Sequence, residues 1–291
     1  MQATATATAT ERNARRKVGQ GPGSALVSAD WLEAHLGNPQ VRIVEVDVSG
    51  ARHEEWHIDG AVLWDIYGDL KDADYRLVDS AGMELLARRS GITPETTVVF
   101  YGYAPAMGLW LLELLGHPDA RLLDCSRKTW FAEGRSWTAA PAAQNPSQYS
   151  FSGAPTPVRA VFADVLESIE ADDTMLVDVR TREEYEGERF WPSGGQQPDG
   201  RPGHVPSAIW FEPGALYDGR GAFRSVEELR REFAPLMTDD RALITYCTIG
   251  GRASTAWFVL THLLGRRDVR VYDGSWAEWG RTPAAPVATG P

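Results

Sequence analysis

The fold is decided by one stretch of sequence, Ala242-Leu-Ile-Thr-Tyr-Cys-Thr-Ile-Gly-Gly-Arg-Ala-Ser-Thr-Ala-Trp-Phe-Val-Leu260. Its first residues are apolar, β-branched or aromatic, which is typical of a buried strand. After Cys247, the pair Gly250 and Gly251 predicts a tight turn, and apolar residues at helical spacing beyond it predict a helix packed on a sheet. The stretch therefore predicts a strand, a loop and a helix, with Cys247 at the end of the strand.

A cysteine at this position would place its sulfur among the backbone N–H groups of the loop, near the positive end of the helix. Arg252 follows five residues later and adds a positive charge. Such surroundings stabilise a thiolate, which is a nucleophile, whereas a cysteine in a plain apolar core is inert. The glycine pair and the arginine together favour a nucleophilic Cys247 over a structural one.

The composition describes a globular chain of 291 residues, 43% of them hydrophobic, which is enough for two cores. No apolar run approaches about 18 residues, so no membrane span is predicted. The formal net charge of −11 argues against a nucleic-acid partner, because phosphates would be repelled. Only two cysteines occur, Cys125 and Cys247, too few for a zinc cluster or a disulfide framework. A reducing cytoplasm fits this cysteine content.

The chain contains two similar halves. Met175-Leu-Val-Asp-Val-Arg180 corresponds to Ile43-Val-Glu-Val-Asp47, and Ala242-Leu-Ile-Thr-Tyr-Cys247 corresponds to Val98-Val-Phe-Tyr-Gly-Tyr103. Each half alternates strands with helices. The fold class is therefore predicted as α/β, with two tandem domains that each hold a mainly parallel sheet covered by helices on both faces.

The domain boundaries are predicted from changes in composition. Residues 139–157 are rich in Ala, Pro, Gln and Ser and show no period, which indicates a linker. The predicted organisation is a disordered tail at 1–24, a first domain at 25–138, the linker at 139–157 and a second domain at 158–285.

The halves differ where chemistry is expected. Tyr103 occupies the position of Cys247 in the first half, and the loop after it, residues 104–108, contains no basic residue. Ligands of open α/β sheets bind beyond the carboxyl ends of the strands. The site is therefore predicted in a cleft between the halves, with Trp191 and Trp276 as lining residues.

Four motifs occur in a fixed order: Leu176-Val-Asp-Val-Arg180, Gly203-His-Val-Pro-Ser-Ala208, Tyr246-Cys247 with its loop, and Tyr272-Asp-Gly-Ser-Trp276. In this order and spacing they resemble the two-domain rhodanese family of sulfurtransferases, over nearly all of both halves. The resemblance implies a catalytic Cys247, an active-site loop from Cys247 to Arg252, an inactive first domain, no cofactor and no metal.

The loop Cys247-Thr-Ile-Gly-Gly-Arg252 indicates the substrate. In the family, the thiosulfate-type loop runs Cys-Arg-x-Gly-x-Arg/Thr, and the mercaptopyruvate-type loop runs Cys-Gly-Ser/Ala-Gly-Val-Thr. Gly250 and Arg252 match the thiosulfate type, whereas Thr248 replaces its usual arginine. The resemblance therefore implies a thiosulfate sulfurtransferase, with 3-mercaptopyruvate as the alternative donor.

The resemblance also assigns roles to residues. Cys247 would take the sulfane sulfur of thiosulfate and pass it, as a persulfide, to cyanide or a thiol. Arg252 would hold the anionic donor, and Arg180 would either reach the site or form a salt bridge beneath the loop. The persulfide would be cradled by the loop backbone at Thr248, Ile249, Gly250 and Gly251. A monomer is expected, whose partners are a small-molecule sulfur donor and a thiophilic acceptor.

Two other functions share some of these features. A phosphatase loop also holds a thiolate and an arginine, but it has one residue more between them than the four between Cys247 and Arg252. A sulfur-carrier module, in which Cys247 only receives sulfur from a partner protein, is compatible with the same loop.

Overall fold

The computed structural model describes residues 24–142, 146–151, 156–214 and 216–290. The predicted tail at 1–24 lies outside the described residues except for Ser24, as do residues 143–145 and 152–155 of the predicted linker. The exact domain and linker boundaries stay predictions. Within the described residues, two α/β units follow one another along the chain.

The first unit is built on a parallel sheet of five strands. Its strands are β1 Leu26–Val27, β2 Val41–Asp47, β4 Val62–Asp65, β5 Thr97–Gly102 and β6 Ala120–Leu123, and a separate antiparallel pair is formed by β3 His57–Ile58 and β7 Trp137–Thr138. The sheet order is β1-β6-β5-β2-β4. Its helices are α1 Ala29–Ala34, α2 Ala51–Glu55, α3 Ser80–Arg89, α4 Pro105–Leu114 and α5 Arg127–Ala132, with a π-helical turn at Ile66–Leu70.

The second unit repeats this plan. Its strands are β8 Arg159–Ala160, β9 Thr174–Asp178, β10 Ile209–Trp210, β11 Ala242–Tyr246 and β12 Val269–Tyr272. Its helices are α6 Phe162–Ser168, α7 Arg182–Glu186, α8 Val226–Glu232, α9 Ala234–Met237, α10 Gly251–Phe258 and α11 Ser275–Trp279, with a π-helical turn at Val259–Leu263. The order β10-β9-β11-β12-β8, taken from its other end, has the same connectivity as the first sheet.

The central strands of both sheets are buried because helices cover the two faces. In β5 and β11 the last residues of each strand are almost all inaccessible to solvent, which explains their continuous apolar sequences. All pairings within the two five-stranded sheets are parallel. The structure confirms the predicted α/β class and the two similar halves. None of the helices in the described part of the chain is both long and apolar enough to cross a bilayer.

The two units contact each other through two equivalent hairpins, one from each unit. Each unit extends a hairpin, closed by a bridge between Lys71 and Leu77 in the first and between Tyr217 and Phe223 in the second. The Leu77 N–H donates to the Asp273 carboxylate at 3.0 Å, and the Phe223 N–H donates to the Asp124 carboxylate at 2.7 Å. Both carboxylates directly follow the last core strand of the opposite unit, so the two hairpins dock on equivalent loops.

Trp110 in α4 fixes the first unit to the entry of the second. Its side chain is fully buried, and its indole N–H donates to the carbonyl oxygen of Val158 at 3.0 Å. Val158 lies just before β8. The Trp110 side chain therefore packs in the core and also hydrogen-bonds to the residue that precedes the second sheet.

We expect Trp110→Ala to lower the free energy of unfolding by about 3–5 kcal/mol, because it leaves a large cavity and removes one of the two hydrogen bonds that the Val158 carbonyl accepts. Urea denaturation measures this loss. Leu85→Ala serves as the control, since Leu85 is 65% exposed and its truncation should cost about 0.5 kcal/mol or less. Equal losses in the two variants would contradict the role given to Trp110.

Candidate active site

Cys247 lies directly after β11, where the chain leaves the centre of the second sheet. Its sulfur accepts a hydrogen bond from the backbone N–H of Gly250 at 3.2 Å. Helix α10 begins one residue later, at Gly251, so its positive end faces the loop that surrounds the sulfur. The strand, loop and helix predicted from the sequence are confirmed, and the sulfur sits at their junction.

Gly250 is required by the backbone geometry of this loop. It adopts a φ of +96°, a left-handed conformation that side chains disfavour. A Cβ atom here would also lie 3.1 Å from the carbonyl oxygen of Asp273. The glycine therefore lets the loop turn back tightly enough to aim its N–H at the sulfur.

A second segment, residues 273–277, follows the neighbouring strand β12 and forms hydrogen bonds with the loop. The N–H of Cys247 donates to Ser275 Oγ at 3.2 Å, and the N–H of Trp276 donates to the carbonyl of Cys247 at 2.9 Å. The N–H of Ala277 donates to the carbonyl of Thr248, also at 2.9 Å. Ser275 has a φ of +52°, an unfavourable conformation for a residue with a side chain. These backbone bonds fix the position of Cys247 independently of its side chain.

Arg252 is about one-third exposed, and its guanidinium group binds a buried carboxylate. Its two terminal nitrogens donate to the two oxygens of Glu184, both at 2.8 Å, and Glu184 is fully buried. Thr248 joins the pair, since its hydroxyl donates to Glu184 at 2.6 Å and accepts from Arg252 at 2.7 Å. The charge of Arg252 is therefore largely balanced, and its orientation is fixed by a bidentate pair.

The Glu184 carboxyl stays ionised despite its burial. Burial acts to raise the pKa of Glu184, but the hydrogen bonds and charge of Arg252, with the bond from Thr248, outweigh it and leave the pKa below its ordinary value. Burial likewise acts to lower the pKa of Arg252, but its bond to Glu184 and the negative charge of Cys247 hold it above its ordinary value. Arg252 and the Cys247 sulfur are thus within electrostatic reach of each other.

Arg180 lies beneath the site rather than in it. It is fully buried, pairs with Asp178 at 2.7 Å and donates to the carbonyl of Gly203 at 2.8 Å. Its guanidinium also lies over the ring of Trp276, 4.6 Å from the centroid. Of the two roles considered for Arg180, this placement corresponds to the salt bridge under the loop.

The sulfur opens into a cavity of about 660 Å³ between the two units. Five of the predicted site residues line it, namely Cys247, Thr248, Ile249, Gly251 and Arg252. Gly250 contributes its N–H from behind, and Arg180 is not among the lining residues. Trp191 lines the cavity as predicted, whereas the prediction for Trp276 is wrong: it is fully buried against Arg180 and is not among the lining residues.

Several lining residues were not predicted from the sequence. The first unit contributes Tyr67 and Tyr103, and the second contributes Glu212 and Tyr217. The signal for Tyr103 was present in the repeat, because it occupies the position equivalent to Cys247 and the two loops face each other across the interface. Glu184 and Tyr67 carried no such signal, because their proximity to Cys247 depends on how separate elements pack.

The cavity wall is mainly apolar and includes four aromatic residues, together with the ionisable Glu212 and Arg252. Burial raises the pKa of Tyr67 to about 12, so its hydroxyl stays protonated and can donate at neutral pH. Burial also raises the pKa of Glu212, although the charge of Arg252 opposes this. The arrangement offers a nucleophilic sulfur, hydrogen-bond donors and a partly apolar space for a small substrate.

Cys125 has none of these surroundings. It is buried after β6 and does not line the cavity. Burial raises the pKa of its thiol to about 11, so it is protonated and unreactive at neutral pH.

Comparison with known proteins gives consistent matches. A sequence family described as Rhodanese-like domain matches residues 28–134 and again residues 161–282. A curated protein of Mycobacterium bovis named "Putative thiosulfate sulfurtransferase SseA" is 41% identical over 272 residues, covering 91% of each chain. The "Sulfur carrier protein TtuD" of Thermus thermophilus is 38% identical over 275 residues, covering 91% of this chain and 96% of its own.

Solved structures show the same fold. The anaerobic ergothioneine biosynthesis enzyme from Chlorobium limicola aligns with a TM-score of 0.79 at 24% identity, over 92% of this chain and 70% of its own. YnjE aligns with a TM-score of 0.78 at 23% identity, over 92% of this chain and 68% of its own.

We expect Glu184→Gln to lower the free energy of unfolding at neutral pH by about 2 kcal/mol, because it removes a charge-assisted pair with Arg252. The folded-state pKa of Glu184 lies below the ordinary 4.5, so its stabilisation is present above that pH and is lost as the pH falls through the folded-state pKa. The difference in Tm between the two proteins should therefore be wide at neutral pH and narrow below pH 4.5.

Glu227→Gln is the matched control. Glu227 pairs with Arg231 on an exposed helix face, so its substitution should change Tm little at either pH. A Glu184→Gln protein whose Tm follows that of the unsubstituted protein at both pH values would show that the buried pair contributes no net stability.

Proposed function

The chain belongs to the rhodanese family, and on that premise we propose that it is a thiosulfate sulfurtransferase that works through a persulfide on Cys247. The observation that carries the proposal is the placement of the Cys247 sulfur. It accepts the Gly250 N–H at 3.2 Å, stands at the positive end of α10 and opens into the cavity between the units. The names of the relatives support sulfur chemistry of this class.

The first step is a displacement at sulfur. The Cys247 thiolate attacks the outer sulfur of thiosulfate, a new S–S bond forms, and the S–S bond of thiosulfate breaks. The electron pair of the broken bond leaves on sulfite. No proton needs to be abstracted, because the attacking group is the thiolate.

The persulfide left on Cys247 is an anion that needs hydrogen-bond donors. The Gly250 N–H donates to the sulfur, and Thr248, Ile249 and Gly251 line the same cavity, where their backbone N–H groups would be further donors. The hydroxyl of Tyr67 is a further donor on the opposite wall. These groups would stabilise the outer sulfur until an acceptor arrives.

The second step regenerates the enzyme. A nucleophile such as cyanide or a thiol attacks the outer sulfur of the persulfide and takes it, giving thiocyanate or a new persulfide. The electron pair of the broken S–S bond returns to the Cys247 thiolate, so the cycle is balanced without a cofactor. Arg252 would orient the anionic donor from the rim, and Arg180 would support the loop from below through its pair with Asp178.

Two observations favour alternative functions, one with a different sulfur donor and one with a different acceptor. Glu184 balances the charge of Arg252, and Thr248 stands where the thiosulfate-type loop has a second cation, so a less charged donor such as 3-mercaptopyruvate would meet less repulsion. The similarity to a protein named as a sulfur carrier favours a version in which Cys247 is loaded once and unloads only onto a partner protein. Both share the Cys247 persulfide.

We also propose that the protein acts as a cytoplasmic monomer on small molecules. Both cysteines are free thiols, which suits a reducing compartment. The cavity is completed by two units of one chain, so no second copy is needed to form it.

Thiosulfate treatment should add one sulfur atom to Cys247, detectable by mass spectrometry of the intact protein and of the peptide that contains it. Cyanide should then remove it, because the outer sulfur of a persulfide is electrophilic. Cys125→Ser should load like the unsubstituted protein, whereas Cys247→Ser should remain unmodified. Loading of the Cys247→Ser protein would disprove the assignment of the nucleophile.

A thiocyanate assay with matched concentrations of thiosulfate and 3-mercaptopyruvate should decide the donor. We expect kcat/KM for thiosulfate to be higher by about tenfold or more if thiosulfate is the substrate, as a difference of about 1.4 kcal/mol in transition-state stabilisation would give. The reverse ratio would identify the mercaptopyruvate activity. A single loading event without repeated turnover on either donor would identify a carrier.

A further inference from the structure

The first unit places a buried cation behind the active-site loop of the second. Lys71 precedes the tip of the first hairpin, and its ammonium group has no exposure to solvent. It donates to the carbonyl oxygen of Asp273 at 2.7 Å and lies 3.5 Å from the carboxylate of the same residue. A lysine is rarely buried this fully without a specific partner.

The carbonyl that accepts from Lys71 also touches the loop of Cys247. A Cβ atom on Gly250 would lie 3.1 Å from this oxygen, so the Gly250 backbone packs directly against it. Asp273 begins the segment whose next residues bond the backbone of Cys247 and Thr248. Lys71 therefore contacts the Asp273 carbonyl, and that carbonyl contacts Gly250, whose N–H donates to the reactive sulfur.

Two basic side chains contact the Asp273 carboxylate, Lys71 on one side and Arg159 on the other. Arg159 donates to the other side of the Asp273 carboxylate at 2.7 Å. Burial acts to raise the pKa of Asp273, but the charges of Lys71 and Arg159 outweigh it and hold it below its ordinary value. One carboxylate thus faces two cations, and the more deeply buried cation is the one on the side of the Cys247 loop.

Lys71 and Cys247 interact electrostatically. The pKa of Lys71 lies below its ordinary value, because burial outweighs the charge and hydrogen bond of Asp273 and the charge of Cys247, which act to raise it. The contacts with Asp273 place the ammonium group behind the Cys247 loop, where a positive charge favours an anionic sulfur.

The equivalent position in the repeat carries no cation. Leu77 corresponds to Phe223, and Asp273 corresponds to Asp124, so the hairpin position equivalent to Lys71 is Tyr217. The lysine is present only on the hairpin that docks behind the cysteine-bearing loop. The scaffold contact alone does not require it, because the opposite hairpin docks without one.

We propose that Lys71 is a positioning residue for the reaction at Cys247, contributed by the unit that has no nucleophile. It holds the Asp273 carbonyl against the loop, which keeps the Gly250 N–H aimed at the sulfur, and it supplies the positive charge that favours the anionic form of Cys247 and of its persulfide. The kinetic part of this inference rests on the proposed function, whereas the electrostatic part does not.

The test compares Lys71→Met with Arg159→Met, both in a Cys125→Ser background that leaves Cys247 as the single thiol. Each variant removes one cation from Asp273, but only Lys71 contacts the carbonyl behind the loop, and Arg159 is one-third exposed. The rate of alkylation by iodoacetamide is measured against pH. This reaction needs no sulfur donor, so it remains informative even if the proposed substrate is wrong.

We expect the pH midpoint of alkylation to rise by about half a pH unit or more in Lys71→Met, because a nearby positive charge is lost. It should stay close to the parent value in Arg159→Met, since solvent screens that charge. The other charged or titratable groups at the sulfur, Tyr67, Tyr103, Glu184, Glu212 and Arg252, are the same in all variants. A parent-like midpoint in Lys71→Met would overturn the electrostatic role.

Turnover supplies the second measurement. With whichever donor the protein uses, kcat of Lys71→Met should fall about tenfold while KM changes less than about twofold, because the loop is misplaced but the substrate contacts remain. An unchanged kcat would overturn the positioning role. If no donor gives turnover with the parent protein, the proposed function fails and the alkylation result still decides the electrostatic claim.

A double variant keeps the test informative if Lys71→Met alone does not fold. Lys71→Met alone leaves a buried carboxylate with one partner fewer, whereas Lys71→Met with Asp273→Asn removes the pair together. The double variant keeps the net charge behind the loop, so its alkylation midpoint should return towards the parent value. Its kcat should stay low because the Asp273 carbonyl is still released, and a parent-like kcat would disprove the positioning role.

Discussion

The structure of the active site depends on one constraint, the set of backbone hydrogen bonds between the Cys247 loop and residues 273–277. A reactive sulfur must be surrounded by donors yet remain open to a substrate. The loop alone is too short and too rich in glycine to hold such a shape, because glycine loses more conformational freedom on folding than any other residue. The neighbouring segment supplies the missing rigidity, and the left-handed Ser275 shows that the backbone is held in an unfavourable conformation to do so.

The two units of the chain have the same fold and different tasks. The second unit holds the nucleophile, whereas the first completes the cavity with Tyr67 and Tyr103 and reaches behind the loop with Lys71. The reciprocal docking of the two hairpins gives each unit a fixed position against the other. A half that lost its nucleophile could therefore be retained, because the site of the other half is built partly from it.

The charged residues at the site fix the orientation of Arg252 more than they attract an anionic donor. Glu184 fixes the direction of Arg252 through two bonds of 2.8 Å, but it also balances the positive charge that an anionic donor would use. Removing one partner of this ion pair would leave the other charge without its partner, which is the destabilising change. The mainly apolar wall of the cavity suits a small substrate that is held by shape and by hydrogen bonds to the loop.

The sequence by itself determined the α/β class, the duplication and the strand, loop and helix that carry Cys247, because these follow from local periodicity and from glycines at a tight turn. It also separated Cys247 from Cys125, through the residues adjacent to each. The partners of Arg252, the placement of Arg180 beneath the loop and the approach of Lys71 were decided only by the tertiary structure. Lys71 and Asp273 are separated by about two hundred residues, and no local pattern encodes a contact that forms only when two folded units dock.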